Sequence, residues 1–327
     1  LSPTLLSDTW EKTKEILLSE RDDEQKDPRA LSNALAHFHR YGQNSRFRKR
    51  PSDADLNAST PQNLGTLITD LLAVNRTILY FGPRSIEEIE KNILEGFVGQ
   101  KPTKDTPPIS PNRSFQASRN QVYFLQKEMA QAQVRLEFAV GTYDEEMTPL
   151  AQLYNEYFGG GMAGLVFQEL REARALAYSA WAHFFTPSRP SEENVLVGAI
   201  GCQADKTIDA VNAFMELLDN MPINQTRWES AHSSILSAYR TNPSKSRSIP
   251  GFVFDYNALG LQEDPRKNRY QKIQKVQIDD LKNFYEQKIQ PQSILVSIVG
   301  DSDKIDLQEL EKIGKVKEIK PEELFRR

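Results

Sequence analysis

The chain has 327 residues, of which 39% are hydrophobic, so it is long enough to bury a core in one large or two medium units. The 41 basic and 45 acidic residues give a net charge of −4, which argues against nucleic-acid binding. The single cysteine, Cys202, excludes an internal disulfide and a cysteine-based metal site. Because no apolar run is long enough to span a membrane, we expect a soluble protein, with a bacterial periplasm or cytoplasm as the best-fitting compartment.

An internal repeat predicts the elements at the start of the chain. A shift of 218 positions places Trp10 on Trp228, Gly42 on Gly260 and Gly82 on Gly300 without gaps. In both copies the pattern indicates a charged helix holding the Trp, a helix ending at the first glycine, a third helix, and a strand ending at the second glycine. We therefore interpret the chain as an internal duplication in which residues 1–98 match residues 219–316.

The repeat and a proline-rich stretch together divide the chain. Prolines at 102, 107, 108 and 111 indicate an extended linker over residues 99–117. Residues 1–98 would then be the C-terminal part of a truncated first α+β unit, and residues 118–327 a complete second unit. Because the repeat places the start of the first unit about 100 residues before Leu1, we expect an incomplete first sheet. Its exposed apolar residues would favour a homodimer.

The second unit alternates strand and helix patterns in chain order. Strands are predicted over 121–125, 134–140, 176–184, 194–201 and 294–299, and the second of these alternates apolar and polar residues. Helices are predicted over 148–158, 162–174, 205–219, 224–240, 247–259 and 277–288. Early strands and late helices indicate an α+β fold, with helices packed on one face of a mostly antiparallel sheet.

One corner of the second unit combines a bend, a cation and a phenol. Gly159, Gly160 and Gly161 open a predicted helix, Arg171 lies in its last turn, and Tyr178 follows seven residues later in a strand. Glycines permit positive φ and the close approach of another backbone. A structural interpretation is also open, because a cation complements the negative end of a helix and a strand tyrosine is often half-buried.

The Gly-Gly-Gly, Leu-Arg-Glu and Ala-Tyr-Ser segments resemble, in the same order, the C-terminal half of pitrilysin/insulysin-type zinc metallopeptidases, including processing-peptidase-like relatives. The resemblance implies repeated LuxS/MPP-like sandwich units. It also implies that Arg171, Tyr178 and the three glycines bind substrate across a chamber from the zinc. Two His and a Glu of the N-terminal half would hold that zinc, and a further Glu would activate water.

The family's His-x-x-Glu-His zinc motif is absent from this sequence. Glu156 stands at the position of the motif's Glu, but Leu153 and Tyr157 stand where the two imidazoles belong. We therefore expect no zinc, no cofactor and no catalytic residue in this segment, and interpret the second unit as a degenerate copy.

The function expected from the resemblance is that of a substrate-binding, chamber-closing region of a zinc metalloendopeptidase that cleaves extended peptides. The chain would be inactive alone, and its partners would be the catalytic half, on the same or a separate chain, and peptides adding to a sheet edge. The alternative is a non-proteolytic structural or regulatory subunit related to processing-peptidase or core proteins.

Overall fold

The structure is a computed structural model that describes residues 6–96, 110–290 and 292–327. The first of these ranges contains six α-helices: α1 Ser7–Lys26, α2 Pro28–Tyr41, α3 Arg46–Lys49, α4 Asp53–Ala58, α5 Pro61–Leu72 and α6 Ile86–Gly96. The prediction of a strand that ends at Gly82 is wrong, because residues 77–82 join no sheet in the described structure. Most of the predicted linker, residues 99–109, lies outside the described residues.

One six-stranded mixed sheet forms the centre of the molecule. Its strands are β1 Gln121–Gln126, β2 Gln131–Thr142, β3 Ser179–Phe185, β4 Glu193–Gln203, β5 Leu295–Gly300 and β6 Lys315–Glu318, in the spatial order β3-β4-β2-β5-β1-β6. Strand β1 pairs in parallel with β5 and β6, and the remaining pairings are antiparallel. This architecture confirms the predicted α+β class.

The main core lies on one face of the sheet, where alternate residues of β2, such as Val134, Leu136 and Phe138, meet helices that follow β2 in the chain. The helices after β2 are α7 Thr148–Tyr154, α8 Leu165–Phe167, α9 Thr207–Asp219, α10 Gln225–Thr241, α11 Ile249–Ala258, α12 Arg266–Ile273, α13 Ile278–Phe284 and α14 Leu307–Ile313, and all of them except α11 contribute to this core. Within the ranges described above, none of the helices is long and apolar enough to cross a bilayer.

The opposite face of the sheet is covered as well, which corrects the prediction of helices on one face. Helix α2 packs Leu31, Leu35 and Phe38 onto a second core with Val299 of β5 and Phe325. The short C-terminal helix α15, Pro321–Leu324, lies at the same face. The reason is the spacing of the apolar residues along α2, which puts them on one side of a helix, and this stripe needs a sheet to cover it.

The helices recur at the offset of the repeat, although the strand does not. Helix α1 begins at Ser7 and α10 at Gln225, and Gly42 and Gly260 both have positive φ, of 54° and 79°. The two tryptophans differ in surroundings: Trp10 donates Nε1–H to the Ser59 carbonyl at 3.1 Å, whereas Trp228 is buried and stacked on His232. The duplication stays a prediction.

Candidate substrate-binding corner

The glycine bend is forced by a close approach to the sheet. Helix α7 continues as a π-helical turn, Asn155–Gly159, which packs against strand β3. A Cβ on Gly159 would lie 1.8 Å from the carbonyl oxygen of Ala182, and Gly161 has a φ of 59°. Only glycine fits the first position, and it is favoured at the second because L side chains strain in that conformation. The close approach of the Ala182 carbonyl therefore excludes a side chain at the first glycine of the bend.

Arg171 lies on a π-helical turn, Gln168–Ala173, with its side chain directed away from the core. Its neighbour Leu170 is fully buried, whereas the Arg171 side chain is 47% exposed. The guanidinium lies 4.8 Å from the centre of the Phe167 ring, and its Nε is 3.6 Å from Glu172 Oε1. A guanidinium carries five N–H donors in a fixed fork, so these contacts leave most of its donors facing solvent.

Tyr178 precedes β3 and is held at two points. Its backbone N–H donates to the Gly201 carbonyl at 2.8 Å, and its phenol oxygen accepts a hydrogen bond from Gln203 Nε2 at 3.0 Å. The residue is 53% exposed, although the preceding Ala177 is buried. About half of the residue is therefore buried, and its hydroxyl is bonded to a side chain rather than to backbone, so the structural interpretation of Tyr178 stays open.

Two clefts flank the turn that leads into the bend. The larger, of about 1030 Å³, lies between that turn, α10 and α12, and includes Tyr239 and Tyr270. The smaller, of about 500 Å³, is lined by Gly160 and Arg227. Glu156 lines both clefts. Arg171 and Tyr178 are not among the lining residues of either cleft, so a concave surface shared by Arg171, Tyr178 and the glycines stays a prediction.

The position of the family's zinc motif does not fit a metal in this chain. Leu153 and Tyr157 are fully buried, and the Tyr157 hydroxyl is engaged by the Pro222 carbonyl at 2.8 Å and the Asn224 N–H at 2.9 Å. Glu156 accepts a hydrogen bond from the Ser234 hydroxyl at 3.3 Å. Across the described ranges, no group of three or more His, Cys, Asp or Glu is placed to hold a metal ion. One carboxylate beside a hydroxyl makes a poor zinc site.

Burial sets the ionisation of the groups around this corner. It raises the pKa of the Tyr157 phenol and that of the Cys202 thiol, the latter to about 11. It lowers the pKa of His183. These groups are therefore held neutral near pH 7, and Cys202 is an inert packing residue rather than a nucleophile.

The free edge of β3 is closed, which argues against strand addition at this edge. The Asn155 side chain donates Nδ2–H to the Phe184 carbonyl at 3.0 Å and accepts the Phe184 N–H at 2.6 Å. Gly159 covers the carbonyl of Ala182 next to it. The other edge, β6, is short and carries Lys315 and Lys317, residues that discourage pairing. Sequence reasoning missed Asn155, because a lone asparagine in a helix pattern gives no signal of a distant strand edge.

Comparison with known proteins adds the family. Residues 73–234 match the family model described as "Peptidase M16 inactive domain". These residues are similar to the M16 inactive-domain family over just under half of the chain. This match confirms the resemblance to the C-terminal half of a pitrilysin-type peptidase that the sequence indicated. No curated protein sequence matches the chain.

Solved structures share the fold at low identity. An M16 inactive domain from Pseudomonas fluorescens has 16% identity and a TM-score of 0.70, over 91% of this chain and 72% of that one. A protease from Helicobacter pylori has 14% identity and a TM-score of 0.67, over 91% and 73%. A chain of complex III2 from Candida albicans has 12% identity and a TM-score of 0.63, over 93% and 74%. The solved structures that share this fold thus include a protease and a chain of complex III2.

Proposed function

We propose that this chain is the substrate-binding, chamber-closing half of a zinc metalloendopeptidase and is inactive alone. The observation that carries the proposal is the outward placement of two donors, Arg171 and Tyr178, beside the buried Leu170 and Ala177. A helix-end role would explain an exposed arginine but not an exposed phenol seven residues later. The match of residues 73–234 to the inactive-domain family supports the same division of roles between a catalytic and a non-catalytic half.

The chemistry follows from the charge that develops during peptide hydrolysis. As water attacks the scissile carbonyl, its oxygen becomes an oxyanion, which donors placed in advance can stabilise. The Tyr178 phenol would donate its O–H to that oxygen, and the Arg171 guanidinium would donate N–H groups and add a positive charge. Zinc and its water-activating Glu would belong to a complementary half, since the residues of this chain do not fit the metal.

The test is turnover of the complex formed by this chain and a half that carries His-x-x-Glu-His, measured with a quenched fluorogenic peptide. Tyr178→Phe removes one donor and keeps the ring, so turnover should fall about 10²–10³-fold. Tyr80→Phe, at another exposed tyrosine, is the control and should change nothing.

The role of Arg171 is tested by the same turnover assay, with a matched pair of arginine-to-lysine variants. Arg171→Lys keeps the charge and loses the fork, so it should be impaired. Arg174→Lys, three residues on and paired with Glu216 at 2.7 Å, should behave as wild type. Normal turnover of Tyr178→Phe together with a lowered melting temperature would leave only a structural role for the corner.

A second candidate is a non-proteolytic structural or regulatory subunit. The likeness to a complex III2 chain favours it, as do the contacts of Arg171 with Phe167 and Glu172, which a packing role would also produce. Purification of the chain from its native source separates the two proposals. A partner bearing the zinc motif, with peptidase activity, supports the first, and a stable assembly without that activity supports the second.

A further inference from the structure

The hydrogen bond at Tyr178 has a direction that bears on its proposed role. A phenol has one O–H donor and two acceptor lone pairs. Gln203 Nε2 donates to the phenol oxygen at 3.0 Å, so the bond occupies a lone pair. The phenol hydrogen is left free, and the residue is 53% exposed. This is the state in which a tyrosine can donate to a ligand.

Gln203 is itself held in place by the sheet. It is the last residue of β4 and lies opposite Gln131 of β2 in the antiparallel ladder. The next residue, Ala204, donates its N–H to the Ala130 carbonyl at 3.1 Å. The glutamine thus projects from a backbone fixed on both sides, while Tyr178 is tied to Gly201 of the same strand. One strand end therefore controls both the backbone and the hydroxyl of the tyrosine.

We propose that Gln203 is a positioning residue that orients the Tyr178 phenol toward substrate and keeps its hydrogen free for donation. The proposal rests on the proposed function and adds a residue that neither the motif nor the family comparison assigns. An exposed phenol without this bond would sample several ring orientations, and the loss of alignment would reduce the fraction of productive encounters. The glutamine contributes direction as well as position, because only its amide N–H end leaves the phenol hydrogen unused.

The direction of the bond provides a sharp test in the complex of this chain with its catalytic half. Gln203→Glu keeps the shape but presents a carboxylate, which accepts the phenol hydrogen and withdraws it from substrate. At pH 7 turnover should fall about 10²-fold, close to the effect of Tyr178→Phe. Gln203→Met removes the bond without capturing the hydrogen, so its loss should be smaller, about 10-fold.

Two further readouts separate positioning from a structural role. In the Tyr178→Phe background, Gln203→Glu should cause no additional loss, because the two residues act as one unit. Turnover of Gln203→Glu relative to wild type should also recover as pH falls toward about 4.5, where a protonated carboxyl can donate to the phenol. Neither result is expected from a change in stability alone.

Gln131→Glu is the matched control. It places the same charge one strand away, opposite residue 203, on an exposed side chain. Equal turnover of Gln203→Glu and Gln131→Glu, while Tyr178→Phe is impaired, would overturn the positioning role and leave the proposed function intact. Normal turnover of Tyr178→Phe would overturn both. A full additive loss in the double variant would also overturn the positioning role.

Discussion

At the scale of single residues, Gly159 is the position where the structure leaves least room. A Cβ there would lie 1.8 Å from the Ala182 carbonyl oxygen and 2.7 Å from its carbon, both backbone atoms of the sheet. Gly159→Ala should therefore lower the free energy of unfolding by about 3 kcal/mol in chemical denaturation. Gly65→Ala, in α5 with open space around it, should raise it by about 0.5–1 kcal/mol. Equal effects of the two substitutions would contradict this account.

Several of the candidate residues could be found from the sequence, but their contacts could not. The run of three glycines indicates a bend, and Arg171 and Tyr178 follow it with a spacing of seven residues between them. The contact that Gly159 makes with Ala182 depends on how a strand 23 residues later returns past the turn. Gln203 was missed for the same reason, since its partner Tyr178 lies 25 residues earlier, just before β3.

At the scale of elements, the packing of α2 on the sheet predicts a dependence of stability on pH. His39 is stacked on Tyr123 at 3.7 Å, and its Nδ1 lies 3.1 Å from the Ser297 hydroxyl. Burial, with a smaller effect of Lys317, lowers the pKa of His39 from 6.5 to about 3. Between pH 6.5 and about pH 3, His39 is protonated in the unfolded chain but neutral in the folded protein. The free energy of unfolding that is present above pH 6.5 therefore falls as the pH falls through this range.

The measurement is urea denaturation between pH 7 and pH 5, above the range in which most carboxylates titrate. His39 should contribute up to about 1.4 kcal/mol per pH unit to the slope of the free energy of unfolding against pH. His37, on the same helix, adds to it, because burial and the nearby Arg40 and Arg46 lower its pKa to about 4. His39→Gln should give a shallower slope than wild type. If the free energy of unfolding of His39→Gln has the same pH slope as that of wild type, α2 must detach from the sheet before His39 is protonated.

Elements with strong periodicity were predicted well, and an isolated strand pattern was not. The alternation over 134–140 indicated β2, which extends over Gln131–Thr142 because pairing with β4 and β5 continues past the apolar residues. Residues 77–82 have an equally apolar pattern, yet the described chain gives them no sheet to join. A strand is stabilised by its neighbours, so its own residues cannot decide whether it forms.

At the scale of the whole molecule, the sequence indicated two units but not how they pack. The apolar stripe on α2 was visible in the sequence, whereas its docking on β5, in the predicted second unit, depends on contacts between residues more than 250 positions apart. The exposed apolar residues predicted for the first unit are present, with Ile78 46%, Leu79 50% and Phe81 55% exposed. Homodimerisation through them stays a prediction that sedimentation of the isolated chain can test.

An ionic cluster joins the first helices to the end of the chain. Asp53, at the start of α4, accepts from Arg21 Nη1 at 2.5 Å and from Arg327 Nε at 2.9 Å. Arg327 also contacts Asp22 of α1. Burial alone would raise the pKa of Asp53, but the hydrogen bonds from Arg21 and Arg327 outweigh it and lower that pKa. The carboxylate is therefore the shared anion of two cations.

Removing the Asp53 carboxylate should lower the free energy of unfolding more than removing an exposed carboxylate such as that of Asp23. Asp53→Ala removes the carboxylate partner of Arg21, whose side chain is only 10% exposed, and leaves its bond to the Pro51 carbonyl, so the free energy of unfolding should fall by about 1–3 kcal/mol. Asp23→Ala breaks a pair with Lys26 in which both side chains are more than 70% exposed, and should change it by less than about 0.5 kcal/mol. Thermal and urea denaturation of the two variants give the comparison. Equal changes in the two variants would contradict this account, because they would show that the Asp53 cluster contributes no more to stability than an exposed surface pair.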